Sequence, residues 1–421
     1  MKITISVRHL LLLLYAILLT SRIAVIIGDV QSSTFWIVLQ ILYICIFLAV
    51  YSFNDSKFNI LLNKKKNIST MIMLLLILHT VLWGIVITND SFKELIFDQF
   101  LSQMIFLLVL ISTVLIVKKY NFLSDFIKVS YYCLSFFLVY HFLKYINELD
   151  LSGVLNIFKT EGRIRANFGF GHYNTLGISC VCNICLIFLL KDKKQSCWGY
   201  GLKILFLIVS ILMLLCSASR NALISILIYG VVLFLLNIER MINSKTIATI
   251  LKVFIVFSIF AIVAIVLFPN FNVLMSNANR ATLFKHAIPE LLKSGRWLFG
   301  LGYASNTSYG MELTGYQTYW LDNAYVYYLV TTGVLGFILI LVLALIMFRK
   351  LLKNTKDLYA FKQIFSMFCM YLFWGMFEPS LFQCGVIANY SLLVVFLVAA
   401  DKNNEIFSWK RIEERKSKRV N

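Results

Sequence analysis

The chain has 421 residues, of which 60% are hydrophobic and 14% are charged. Soluble domains are typically about half apolar, and the mean hydropathy here is +0.83, so the composition excludes a soluble globular enzyme. The formal net charge of +19 lies in short basic clusters between apolar runs rather than along one amphipathic face. This pattern excludes a nucleic-acid partner and indicates an integral membrane protein.

Apolar runs that are long enough to cross a bilayer, which takes about 20 residues per helix, follow one another along the chain. They predict an all-α polytopic fold with about twelve transmembrane helices, at residues 9–27, 34–53, 68–88, 99–117, 129–145, 169–190, 203–218, 222–238, 253–268, 324–348, 359–379 and 383–400. The polar segments between them are too short for a soluble domain, so we expect a single integral membrane domain over residues 1–421. The first run follows Lys2 and Arg8 as in a signal peptide, but Arg22 interrupts it and we predict a retained helix.

The distribution of lysine and arginine predicts the orientation. With both termini in the cytoplasm, most of the basic residues fall in the cytoplasmic loops, as the positive-inside rule requires. The basic tail at residues 401–421 is then cytoplasmic and contacts anionic membrane lipids. Two longer segments face outward, at roughly 146–168 and at 269–323, the long extracytoplasmic loop between the ninth and tenth helices. The stretch "TLFKHAIPELLKSGRWLFG" predicts a surface helix within that loop.

Arg220, in "LLCSASRNALISILIYG", lies at the outer end of a tight predicted hairpin. An arginine sunk below the headgroups costs up to about 2.5 to 3.5 kcal/mol on insertion scales, so it should face a partner or a watery cavity. The alternative is an anchor that reaches the headgroups.

A second group of polar residues faces the same side. Arg163 and Arg165 precede "NFGFGHYNTLG", in which His172 and Asn174 mark the outer mouth of the sixth predicted helix. A loop with an asparagine that starts a helix is the competing interpretation.

The long loop contains a third group. Arg280 and His286 lie within it, and Asp322 and Asn323 stand where the tenth predicted helix begins. Asp322 is either an N-cap or a general base whose pKa is raised in a shielded cavity.

No metal and no cofactor is predicted. The histidines and cysteines do not have metal-ligand spacing, and no G-K-[ST] follows Gly300 and Gly302 to complete a phosphate loop. The remaining chemistry is cationic, because several arginines can converge on one outer pocket. Guanidinium groups match phosphate oxygens, so we predict a phosphorylated ligand presented from the membrane, whose departing diphosphate is stabilised by fixed positive charge.

Four stretches carry a resemblance to a known family, namely "RIRANFGFGHYNTLG", "SASRNALISI", "NRATLFKHAI" followed by "LFGLGYAS", and "LDNAYVYYLVTTGVLG". Over residues 163–336, in this order, they resemble the Wzy-type oligosaccharide repeat-unit polymerases of the O-antigen polymerase and O-antigen ligase superfamily. The first stretch is similar to capsular and exopolysaccharide polymerases in particular.

This resemblance implies a GT-C-like glycosyltransferase at the outer face of the bacterial cytoplasmic membrane. Its substrates would be oligosaccharides on undecaprenyl diphosphate, and its partners flippase and chain-length regulator proteins. Arg220 and Arg280 match the arginines that would hold the donor diphosphate, and Arg163 or Arg165 matches an upstream basic position.

The implied reaction is an inverting single displacement in which Asp322, or His286 if the loop folds back, accepts a proton from the acceptor hydroxyl. His172, Asn174 and Asn323 are predicted to bind substrate. The ligases place a histidine where Asp322 and Asn323 stand, which favours a polymerase. An O-antigen ligase and a lipid-linked oligosaccharide flippase or transporter remain as alternatives; charges gathered at one outer face disfavour transport.

Overall fold

The computed structural model describes residues 7–27, 33–53, 77, 93–120, 122–157, 164–190, 197–241, 286–302, 312, 321–354, 359–379, 381–382 and 387–400. Ten long helices lie in this part of the chain: α1 (Val7–Ile27), α2 (Ser33–Phe53), α3 (Lys93–Tyr120), α4 (Leu123–Lys144), α5 (Tyr173–Leu189), α6 (Cys197–Ser217), α7 (Arg220–Met241), α8 (Ala324–Asn354), α9 (Tyr359–Trp374) and α10 (Ile387–Ala400).

The predicted all-helical membrane fold is confirmed over these residues. Five helices, namely α3, α4, α6, α7 and α8, contain segments long and apolar enough to cross a membrane. The count of twelve stays a prediction, as does the single domain over residues 1–421. Except for Ile77, the predicted helices 68–88 and 253–268 lie outside the described residues, as do the tail and much of the loop at 269–323.

The centre of the bundle is α10, a helix of 14 residues. Every side chain from Ala388 to Ala400 is buried. A helix that is apolar on almost all sides needs neighbours on all sides, and α10 packs against α1, α3, α4, α5, α8 and α9. Its Asn389 is paired, because its Oδ1 accepts a hydrogen bond from the Tyr371 hydroxyl of α9 at 2.6 Å.

Polar side chains join α5 to its neighbours within the apolar bundle. Asn183 of α5 accepts a hydrogen bond from Ser135 of α4 at 2.9 Å and donates one to Ser210 of α6 at 2.9 Å. All three residues are buried. Such hydrogen bonds hold helices together where no water is present, so α5 is fixed between α4 and α6.

Helix α8 is broken at Gly333, where the backbone has φ 67° and ψ −173°. The loop segment 297–302 fills the break. Leu301 and Gly302 donate backbone hydrogen bonds to the carbonyls of Val330 and Thr331 at 2.8 and 3.0 Å. Val334 and Leu335 donate to the carbonyls of Trp297 and Leu298 at 3.0 and 3.2 Å. Because broken backbone in a membrane helix must find partners within the protein, this crossing anchors the loop in the helix.

The segment between α4 and α5 folds over the C-terminal end of α6. It contains the one-turn helix Ser152–Leu155, and Ala166 donates a backbone hydrogen bond to the Cys216 carbonyl at 3.0 Å. Glu148 accepts from the backbone N–H groups of Asn167 and Phe168 at 3.1 and 2.7 Å. The surface helix predicted in the long loop corresponds to the short helix Ile288–Lys293, which packs against α8.

Candidate functional site

The hairpin predicted around Arg220 is tight. Helix α6 ends at Ser217, α7 begins at Arg220, and only Ala218 and Ser219 lie between them. Ala218 is fully buried with φ 44°. The Ser217 hydroxyl oxygen accepts from the Ser219 N–H at 3.3 Å, and the Ser219 hydroxyl oxygen accepts from the Ala222 N–H at 3.4 Å. Side-chain oxygens of this kind satisfy the open N–H groups at a helix start, so the turn is stabilised locally.

Arg220 is half-buried and is held from outside the hairpin. Its Nε donates a hydrogen bond to the Ile157 carbonyl at 2.6 Å. The segment between α4 and α5, which carries Ile157, lies close to the hairpin, since a Cβ added to Gly153 would come within 3.1 Å of the Ala218 Cβ. Main-chain contact within the protein argues against a side chain that extends freely to the headgroups.

Asn221 at the hairpin tip and Asn174 of α5 both donate hydrogen bonds to Glu378. Glu378 follows α9, and its Oε1 accepts from Asn174 Nδ2 at 2.6 Å and from Asn221 Nδ2 at 3.0 Å. The Ser219 hydroxyl donates to Asn174 Oδ1 at 2.9 Å. The start of α5, the hairpin tip and the turn after α9 therefore meet at one place.

Close packing of α5 on the hairpin depends on Gly177. A Cβ at this position would lie 2.8 Å from the Ala222 Cβ and 3.1 Å from the Ser219 Cβ. Real Cβ atoms essentially never come within 3.0 Å of a non-bonded heavy atom, so the helices approach each other here only because the residue is glycine.

Arg165 and His172 both contact the ring of Tyr173 at the start of α5. The Arg165 guanidinium carbon lies 4.2 Å from the Tyr173 ring centroid, and the His172 and Tyr173 rings are 4.1 Å apart. Partial burial of the imidazole, and secondly the positive charge of Arg165, lower the pKa of His172. The neutral ring can accept a hydrogen bond, and its Nδ1 accepts from the Asn174 N–H at 3.2 Å.

The start of α8 lies on the turn that carries Glu378. Asn323 is the N-cap, because its Oδ1 accepts from the backbone N–H groups of Tyr325 and Val326 at 3.0 Å each. Its Nδ2 donates to the Met376 carbonyl at 2.9 Å, and the Ala324 N–H donates to the Gly375 carbonyl at 2.8 Å. The capping role considered for Asp322 therefore belongs to Asn323, and half-buried Asp322 lies beside the cap.

The remaining predicted site residues are placed only in part. His286 is exposed, just before the short helix that packs against α8. Arg280 and Arg163 lie outside the described residues. The structure thus brings Asn174 to the Arg220 hairpin and ties Asn323 to the turn after α9 that carries Glu378, while the roles of all these residues stay predictions.

Glu378 is the residue that the sequence interpretation missed. The prediction placed it near the end of a helix at 359–379, whereas α9 ends at Trp374. A carboxylate inside an apolar run is a functional candidate by default, and that signal is visible in "FWGMFEPSLF". Its two asparagine partners lie 157 and 204 positions away in the chain, a pairing that helical periodicity does not reveal.

Residues 205–341, about a third of the chain, match the family model described as O-antigen ligase. No curated protein matches the chain. The matched segment contains the Arg220 hairpin and the broken part of α8. It supports a ligase-type or polymerase-type membrane enzyme that acts on lipid-linked glycans. The predicted resemblance is thereby confirmed for residues 205–341, where the chain is similar to the O-antigen ligase family model.

Proposed function

We propose that the protein polymerises undecaprenyl-diphosphate-linked oligosaccharide repeat units into capsular or exopolysaccharide at the outer face of the bacterial cytoplasmic membrane. One observation carries this proposal, the position of Arg220 at the tip of a tight hairpin inside the O-antigen ligase match. Arg220 is the first residue of α7, where the helix dipole disfavours a cation. A bound diphosphate would be favoured both by the guanidinium and by the positive end of the helix dipole.

The proposed reaction is a single displacement at the anomeric carbon of the donor sugar. The acceptor hydroxyl oxygen forms a bond to that carbon, the bond from the carbon to the diphosphate oxygen breaks, and the lipid diphosphate leaves with the electron pair. Asp322, or His286, accepts the hydroxyl proton. Arg220 and Arg280 compensate the charge on the leaving diphosphate, and the configuration inverts.

Asp322 is supported as the first choice of base by the geometry of the α8 start. Asn323 provides two capping hydrogen bonds, and Asp322 is half-buried directly before it in the chain. Arg165 and His172 contact Tyr173 and Asn174 at the start of α5, and they are proposed to contact the sugar or the diphosphate.

A second candidate function is transfer of a finished glycan to a different acceptor, which the description of the matched family favours. The two activities differ in acceptor and product. A polymerase lengthens the lipid-linked glycan by repeat units and gives a ladder of products, whereas a ligase moves one glycan to an unrelated acceptor.

The test is a reaction of the purified protein with its lipid-linked repeat unit in the presence of a chelator. We expect a product ladder, and we expect Arg220→Ala to slow its formation by about 100-fold or more, as loss of a charge-stabilising donor does in other enzymes. Arg296→Ala, which changes an exposed arginine of the long loop, is the matched control and should retain activity.

A ladder of normal strength from Arg220→Ala would contradict the proposed function. Transfer of one glycan to a separate acceptor, without a ladder, would support the ligase. Movement of the lipid across proteoliposomes, with no new glycosidic bond, would make the protein a flippase.

A further inference from the structure

Glu378 joins the Arg220 hairpin to the start of α5 through one oxygen atom. Its Oε1 accepts from Asn221, the residue next to Arg220, and from Asn174. Asn174 is held in turn by Ser219 at the other side of Arg220 in the chain. Both neighbours of Arg220 in the sequence are therefore engaged in the same hydrogen-bond network.

The turn that carries Glu378 also holds the start of α8. The carbonyls of Gly375 and Met376 accept from Ala324 and Asn323 at 2.8 and 2.9 Å. The turn is closed on itself, because the Glu378 N–H donates to the Trp374 carbonyl at 3.2 Å. Residues 374–378 therefore connect the Arg220 hairpin to the start of α8, just after Asp322 in the chain.

The geometry at Glu378 suits a positioning role. Two amide N–H donors occupy Oε1 at hydrogen-bonding distance, so this oxygen is already used by the protein. The first two residues of α7 point to different partners, Arg220 to Ile157 and Asn221 to Glu378. The hairpin tip is thus fixed on two sides, by the segment between α4 and α5 and by the turn after α9.

We propose that Glu378 is a positioning residue of the glycosyl transfer, which sets the place of Arg220 relative to Asp322 by holding Asn221 and Asn174. This inference rests on the proposed function, which assigns the diphosphate to Arg220 and the proton to Asp322. Misplacement of a reacting group by about 1 Å costs about 100-fold in rate, and that is the size of effect we expect.

Two substitutions separate geometry from charge. Glu378→Gln keeps a carbonyl oxygen that can accept both hydrogen bonds, so kcat should stay within about threefold of the wild type. Glu378→Ala removes the acceptor and should lower kcat by about 100-fold, while KM for the lipid-linked donor changes by less than about threefold. Glu290→Ala, at an exposed glutamate of the short loop helix, is the matched control.

A reversed pair provides a test by rescue. Asn221→Asp places a second carboxylate against Glu378 and should reduce kcat to about the level of Glu378→Ala, because like charges repel. Combined with Glu378→Gln, the new carboxylate again has an amide donor, and the glutamine oxygen can still accept from Asn174. The double variant should recover at least about tenfold in kcat over Asn221→Asp.

Hydrogen–deuterium exchange of residues 217–223 and 374–378 measures the connection without any substrate. Exchange should be faster in Glu378→Ala than in the wild type and should be unchanged in Glu378→Gln. If the wild type forms no ladder, the proposed function fails, and the exchange pattern alone then decides whether Glu378 holds the hairpin.

Two results would overturn the positioning role. Glu378→Gln that is as inactive as Glu378→Ala would show that the charge is required rather than the geometry. Wild-type exchange and wild-type turnover in Glu378→Ala would show that the contact does not position the hairpin.

Discussion

At the scale of single residues, the hydrogen bond that caps α5 depends on the protonation state of His172. His172 accepts the Asn174 N–H through its ring nitrogen, which requires the neutral imidazole. Its pKa is lowered by partial burial and by Arg165, so the unfolded chain binds the proton more readily than the folded protein. The stability contributed by this cap is complete above the ordinary histidine pKa of about 6.5 and is lost as the pH falls through the lowered pKa.

We therefore expect acid to destabilise the wild type more than a variant with a cap that does not titrate. Between pH 7 and pH 5, the wild type should lose about 0.5 to 1 kcal/mol more than His172→Asn, the value of an N-cap partly exposed to solvent. Thermal unfolding in detergent at the two pH values measures this difference. Equal losses in both proteins would show that the cap does not depend on the imidazole.

The sequence predicted part of the site at this scale. Arg220 and Asn174 could be predicted at the edge of the membrane because each stands at the edge of an apolar run, and hydropathy defines such edges. Their shared contact with Glu378 could not be predicted, because it depends on which helices pack together. Asp322 was the candidate for the cap, and the hydrogen bonds of the structure assign that role to Asn323.

At the scale of elements, the crossing of α8 by the loop segment 297–302 depends on glycine. Gly300 and Gly333 both have positive φ, at 86° and 67°. A Cβ at Gly333 would overlap the main chain of Leu298, and one at Gly300 would overlap the Thr331 carbonyl. Neither overlap can be relieved by rotation of a side chain, because the atoms that are struck belong to the backbone.

Gly333→Ala should consequently destabilise the protein by about 2 to 5 kcal/mol, from the left-handed backbone and from overpacking. Gly230→Ala in α7 is the matched control, since a Cβ there meets nothing within 4 Å, and it should be neutral or stabilising by up to about 1 kcal/mol. The midpoint of thermal unfolding in detergent compares the two. Equal midpoints would mean that the crossing does not contribute to stability.

The sequence did not reveal this crossing. Residues 324–348 appear as one apolar run, and a glycine inside such a run is compatible with a straight helix. Nothing in the stretch "LFGLGYAS" indicates its partner on α8, which lies about thirty positions further along the chain. Backbone hydrogen bonds of this kind have no side-chain pattern, apart from the glycines that permit them.

At the scale of the whole molecule, hydropathy located helices well and their ends less well. Ten predicted helices overlap α1 to α10, but the eleventh was predicted to extend to residue 379, whereas α9 ends at Trp374. Residues 375–377 form a turn that holds the start of α8. An apolar run continues through such a turn unchanged, so composition alone cannot mark where the helix stops.

The predicted orientation can be tested across α5. Leu155 is 85% exposed in the segment predicted to face outward, and Cys197 is exposed at the start of α6. A membrane-impermeant maleimide should label Leu155→Cys in intact cells but should label Cys197 only after permeabilisation, because the positive-inside rule places residue 197 in the cytoplasm. Mass spectrometry of the labelled peptides identifies the sites. Labelling of both positions from one side would contradict the topology.

The central place of α10 has a consequence for biosynthesis. Chains are made from the N-terminus, so α10 is the last of the described helices to leave the ribosome, although it contacts α1, α3, α4, α5, α8 and α9. Those six helices are inserted before their common neighbour has been made. During translation, the faces that later contact α10 therefore pack against lipid or against one another. The central helix of the bundle is therefore added at the end of synthesis. A chain truncated before Ile387 would insert the surrounding helices but would lack the helix that they all pack against.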